Sequence, residues 1–194
     1  MTAQAMDQVR WRDRTWSLVG IDGAGLFDPT ALGIQPQMLH TAAWRGYICT
    51  YKVEDDELRL ERLEIGFDPA TQERSVAGDP PLIGDARPTQ QGMGHVWHYD
   101  GADLPVPFTG GLRIGYGFIR ELYVHMGFAP AWKFEEVHEL RFEAGRLVST
   151  EDQSDEMRRE REQAAKGPLA PSRASGAQRI SDWIRSTFDR TYRR

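Results

Sequence analysis

The sequence predicts a mainly β fold: an antiparallel barrel or strongly curved sheet of about six to eight strands, with one short internal helix and a C-terminal helical tail. Three observations carry this prediction. Apolar residues alternate with period two over Tyr47–Val53, Leu112–Phe118 and Phe134–Phe142, the spacing of strands with one face against a core. Turn chemistry separates the extended runs, from Asp22-Gly23 to Ala144-Gly145. The end of the chain changes to helical spacing, with Ile180, Trp183, Ile184 and Phe188 on one face.

A chain of 194 residues has room for one domain with an appendage. Six Trp, six Tyr and eight Phe are ample material for a packed β core. A net charge of -5 supplies no basic field to attract phosphate backbones, so nucleic acid is not expected as a partner. Cys49 is the only cysteine, which excludes an intrachain disulfide and a Cys-rich zinc site and leaves a thiol suited to burial. No run approaches the roughly 18 apolar residues of a membrane span. The opening MTAQAMDQVRWRDRTW lacks the order of a secretory leader, so the expected location is cytoplasmic and a membrane surface is not an expected partner.

Residues 1–14 are polar and mixed in charge and read as a loose arm ahead of a β-rich domain over 15–150. Trp16, Leu18 and Ile21 begin a short strand that ends at the Asp22-Gly23 turn. The glycines of IDGAGLF read as turn chemistry, because DPTALGIQPQ supplies no helix on which a phosphate could sit. The hairpin signal is clearest over residues 43–65, where Glu54-Asp55-Asp56-Glu57 forms the polar tip. Leu58 and Leu60 fall on one parity and Leu63 and Ile65 on the other, so a β-bulge near Glu61–Leu63 is required to keep all four on the core face. Residues 67–94 read as a long surface loop with a short strand near Pro81–Ile83.

His95-Val96-Trp97-His98-Tyr99-Asp100 contains metal-ligand residue types, but a strand sends His95 away from His98 and Asp100. No ligand spacing of a known metal motif is present, and neither metal nor cofactor is expected. Gly115 and Gly117 leave one face of the 112–118 strand bare, which admits either a ligand or the following segment of chain. Phe118, Ile119, Leu122, Tyr123 and Met126 then fit a short helix capped by Gly127, in which Glu121 and His125 pair at i, i+4. In the 134–142 strand, Glu136 and His138 share the parity of Leu140 and Phe142, which aims two ionisable groups toward the core. Residues 151–166 read as a solvated charged helix or spacer, 167–176 as a linker, and 177–194 as an amphipathic helix.

Three functions follow from these residues. The first is a non-catalytic protein-interaction module, an immunity-type or accessory subunit that meets a protein partner or a second copy through Ile180, Trp183, Ile184 and Phe188. The second is a β-barrel binding a small apolar or aromatic ligand among Trp97, Tyr116, Trp132 and His138 under the 67–94 loop, with His98 and His125 as further ligand contacts. The third is a small enzyme using Glu136 and His138 as acid and base with Tyr123 or His98, since burial and mutual charge move such groups toward neutrality.

Overall fold

The computed structural model describes residues 2–90, 94–164, 166–167, 169–172 and 176–192, so the expected linker at 167–176 lies partly outside the described residues. Among the described residues, strand makes up 42% and helix 22%, and the fold is mainly β. Nine strands form one sheet: β1 (Gln8–Trp11), β2 (Arg14–Ala24), β3 (Tyr47–Glu54), β4 (Glu57–Gly66), β5 (Thr89–Gln90), β6 (Val96–Pro105), β7 (Thr109–Phe118), β8 (Phe134–Glu143) and β9 (Arg146–Asp152). Among the described residues three α-helices accompany it: α1 (Pro69–Val76), α2 (Ser154–Ala164) and α3 (Ala177–Phe188). The strand order β3-β1-β2-β7-β8-β9-β4 closes on itself through the β3–β4 hairpin, giving a ring of seven strands from which β6 and β5 extend. All pairings in the sheet are antiparallel except β1 with β3. The ring is narrowest in contact at β4–β9, which share the single pair Glu57 and Arg146.

Alternation along the strands divides the apolar residues between two faces. Leu18, Cys49, Tyr51, Leu58, Leu60, Leu63, Ile65, Leu112, Ile114, Leu140 and Phe142 belong to one large buried cluster that occupies the inner face. Val19, Phe134, Val137 and Met157 form a smaller cluster on the outer face, beneath α2. The hairpin contains the required bulge: Thr50 pairs with Arg62 and Tyr51 with Leu60, so Glu61 is the additional residue. That insertion restores the phase, and Leu58, Leu60, Leu63 and Ile65 are all buried.

Four elements differ from the sequence expectation. The expected loose arm contains β1, and Asp7 beside it is buried against β3. The expected helix over 118–126 is absent: β7 runs to Phe118 and only a 3₁₀ turn, Arg120–Leu122, follows. Its cause is tertiary, because the Ile119 N–H donates to the Lys133 carbonyl at 2.9 Å and ties the segment to the start of β8. The short internal helix is instead α1, inside the expected 67–94 loop, started by Asp68, which accepts from the Ala70 and Thr71 N–H groups, and by Pro69 in the first turn. Finally, of the two alternatives for 151–166 the charged helix forms, as α2, but it is anchored and not solvated all round: Met157 is fully buried and Arg161 donates to the carbonyls of Trp132 and Phe134 at 2.8 and 2.6 Å.

On the outer face of the hairpin, Asp103 accepts from Arg59 Nε at 2.7 Å and lies 3.0 Å from Lys52 Nζ. These hydrogen bonds, first with Arg59 and then with Lys52, hold its carboxyl at a pKa of about 2. The folded value lies below the unfolded one, so the stabilisation exists above an unfolded pKa of about 4. It is lost as pH falls through about 2. Asp103→Asn is therefore expected to be less stable than the parent chain at neutral pH and to converge with it in acid. Urea unfolding across this range checks the point, and a gap that stays constant with pH would contradict it.

Candidate functional site

The C-terminal segment returns to the domain and builds one wall of a cleft. The Phe128 N–H donates to the Thr187 carbonyl at 2.7 Å, and Ile21 exchanges backbone hydrogen bonds with Arg190 and Tyr192 at 2.8 and 3.2 Å. Glycines make this close approach possible. A Cβ at Gly20 or Gly111 would meet Tyr192 at 2.9 or 2.4 Å, and one at Gly127, which has φ +59°, would meet the Thr187 carbonyl at 2.3 Å. Phe188 stacks on Trp44 with ring centroids 5.4 Å apart. The helix α3 thus packs on its own domain through part of the apolar face.

Between this wall and the outer face of β2 and β7 lies a cavity of about 340 Å³, bordered also by residues of the 124–133 loop and by α2. Its floor holds two cationic side chains. The 3₁₀ turn Ala131–Lys133 brings the lysine inward, closed by the Lys133 N–H donating to the Pro130 carbonyl at 3.1 Å. Lys133 is only 6% exposed. Its ammonium lies 5.2 Å from the centre of the Trp132 ring and, among the described residues, has neither a hydrogen bond nor an ion pair. Burial lowers its pKa from the usual lysine value.

Arg113 is the second cation. Its guanidinium lies 4.1 Å from the centre of the Tyr192 ring, and its buried Nε has no acceptor among the described residues. The Tyr192 hydroxyl donates to Glu139 Oε1 at 2.9 Å, while Arg141 and Gln153 donate to the same carboxylate, also at 2.9 Å. Burial first, and then the bond to Glu139, push the Tyr192 pKa upward. Arg190 also borders the cleft, but its charge is met by Asp7 Oδ2 at 3.1 Å. The cleft therefore presents a buried lysine and a half-buried arginine, neither in an ion pair among the described residues, beside the carboxylates of Glu160 and Asp189, a setting that favours a singly charged anion.

A second cavity, of about 200 Å³, lies against the first. The two share Val124, Met126, Phe128, Ala129 and Lys133. The smaller one is otherwise lined mainly by apolar side chains, among them Met6, Phe118 and Phe134.

The residues singled out from sequence are spread over several places. Glu136 pairs with Arg14 at 3.0 Å at an exposed position, and His138 sits edge-on to Trp11 and Trp16 with ring centroids 5.2 Å away in each case. Neither lines a cavity described here, nor do the two bond to each other. Tyr116 is exposed beside Arg14, and Trp97 is in the core stacked on Phe67. His98 lies on the opposite face of β6 from Trp97, paired along the sheet with Glu64 and Thr89. A common pocket of Trp97, Tyr116, Trp132 and His138 is not formed, because the inner face of the ring is filled by the large cluster. Tyr123 and His125 do meet, the hydroxyl and Nδ1 lying 2.8 Å apart, in place of the expected Glu121–His125 pair. Trp132 and Trp183 both border the cleft, whereas Ile180 and Ile184 are half-buried on α3.

Sequence reasoning passed over Lys133, Arg113, Tyr192 and Asp7. One signal was available for the first. The chain contains only three lysines, and Lys133 is set between Trp132 and Phe134 directly after Ala-Pro-Ala, an unusual place for a solvated cation. Among the described residues, no group of three or more His, Cys, Asp or Glu is arranged to hold a metal ion. Comparisons with protein families, characterised proteins and solved structures give no match.

Proposed function

We propose that the protein is a non-catalytic binding protein that holds a small organic anion in the cleft between the β2–β7 face and the C-terminal segment. In this reading the seven-strand ring acts as a small closed barrel with a packed interior, and the ligand site lies outside it. The observation that carries the proposal is Lys133: a residue buried over most of its surface that borders the cleft and whose ammonium has no polar partner among the described residues. An unpaired buried cation is costly, and a bound anion offsets that cost, so charge and affinity are coupled at this residue. Arg113 Nε supplies a second donor of the same sign. Aromatic walls at Trp132, Trp183 and Tyr192 suit an apolar body on the ligand.

Titration of the protein with benzoate, phenylphosphate and octanoate, followed by calorimetry or tryptophan fluorescence, tests this. At least one probe is expected to saturate, and Lys133→Met is expected to weaken it about tenfold or more, the effect of losing a hydrogen bond to a charged group. The absence of saturable binding by all three, or equal affinity in the Met variant, would overturn the proposal.

The pH dependence has a definite sign. Binding needs the protonated lysine and the ionised ligand, so affinity for a carboxylate is expected to hold above about pH 5, where the ligand is charged, and to fall as pH rises through the lowered Lys133 pKa. Lys133→Arg keeps its charge throughout and should abolish that decline if it still binds. If the variant fails to bind, the parent chain's profile alone decides, and an affinity unchanged up to the ordinary lysine range would count against the role of Lys133.

A further inference from the structure

We infer that the anion is a monocarboxylate carrying a flexible alkyl chain, with the carboxylate at Lys133 and the chain in the adjoining apolar cavity. This rests on the anion-binding reading and names the class of ligand. Lys133 belongs to the wall common to both spaces, so a group held by its ammonium has a polar, open cleft on one side and an apolar pocket on the other. The apolar pocket has Lys133 as the only charged side chain among the described residues lining it. Its other long polar side chains are already engaged: Gln4 Nε2 donates to the Thr2 and Thr41 carbonyls, Gln4 Oε1 accepts from the Trp44 N–H, and the Tyr123 hydroxyl meets His125. What remains is a surface of Met, Phe and Val side chains with a single cation in its wall.

The head group follows from the charges. Glu160 and Asp189 border the cleft and offset part of the positive charge of Lys133 and Arg113, which disfavours a dianion and leaves a singly charged carboxylate as the better match. The chain follows from the lining. Met6 and Met126 are unbranched and adaptable, which suits a flexible chain better than a rigid ring system.

The experiment is a calorimetric titration of the intact chain with straight-chain monocarboxylates from butanoate to dodecanoate, set beside alkyltrimethylammonium ions of the same lengths. Affinity is expected to rise about fourfold for each added methylene until the pocket is full, the equivalent of burying one CH₂ group, and then to level off. The cationic series is expected not to bind. Ser17→Leu, placed in the lining of the apolar cavity only, should fill part of the pocket and make the affinity level off at a shorter chain length. In the unmodified chain, octanoate is expected to shift the methyl resonances of Met6 and Met126.

A flat chain-length series, equal binding of the cationic series, or unshifted methionine methyls would each overturn the inference. Should benzoate or phenylphosphate bind through Lys133 while the alkyl chain adds nothing, the chain assignment fails and the anion site stands. Should no anion bind, both fail together.

Discussion

Asp7→Ala is expected to destabilise the protein by about 3–5 kcal/mol, the range found when one partner of a buried charge pair is removed. Asp7 is 1% exposed, and three donors converge on it: the Arg45 guanidinium, Arg190 Nη1 at 3.1 Å and the Cys49 N–H at 2.7 Å. Burial most strongly opposes the charge on Arg45, yet attraction to Asp7, joined by Cys49 and Tyr47, raises the arginine pKa overall. Its backbone carbonyl also accepts from the Leu18 N–H, so the residue joins β2, β3 and the C-terminal segment at one point. Truncation leaves two partly buried guanidiniums facing one another across an empty position. Asn keeps an acceptor for the Cys49 N–H but not the charge, and is expected to recover only part of the loss. For a domain of this length the alanine variant should melt roughly 10 °C lower. Urea unfolding of the two variants decides the matter, and a loss below about 1 kcal/mol would mean the pair is solvated in a way its burial does not indicate.

The parts of the fold legible in the sequence are those set by local periodicity. A change of parity between Leu60 and Leu63 has one remedy in a half-buried strand, and the bulge at Glu61 is that remedy. The amphipathic spacing of Ile180, Trp183, Ile184 and Phe188 likewise specifies a helix, and α3 covers those residues. Spacing fails where two periods fit the same residues. Phe118, Ile119, Leu122, Tyr123 and Met126 suit a helix, but a backbone bond from Ile119 to Lys133 holds the segment in another path. For α1 the apolar stripe is weak, and only Asp68-Pro69 announces it. The closure of the ring pairs β1 with β3 in parallel, a nonlocal contact that four residues of alternation cannot specify. The site was hidden for a related reason. Histidines and inward carboxylates draw attention by residue type, whereas Lys133 becomes unusual only once a loop and a helix about fifty residues further along the chain enclose it.

Deletion of residues 177–194 is expected to abolish anion binding and to lower stability by about 3 kcal/mol or more. A free tethered helix would give a different pattern, with the melting temperature unchanged. The deletion removes Trp183, Thr187, Arg190 and Tyr192 from the cleft wall, strips the aromatic ring from Arg113, and breaks the bonds from Arg190 to Asp7 and from Tyr192 to Glu139. It also uncovers Trp44 and the glycine-lined surface at Gly20 and Gly111. Tyr192→Phe separates the two consequences. The ring remains over Arg113, while Glu139 keeps its bonds from Arg141 and Gln153, so the cost is expected to be about 1–2 kcal/mol with binding retained. Thermal melts and octanoate titrations of both variants supply the comparison. If the deletion left stability intact and removed only binding, the segment would act as a detachable wall; if it left both intact, the cleft would not be the site.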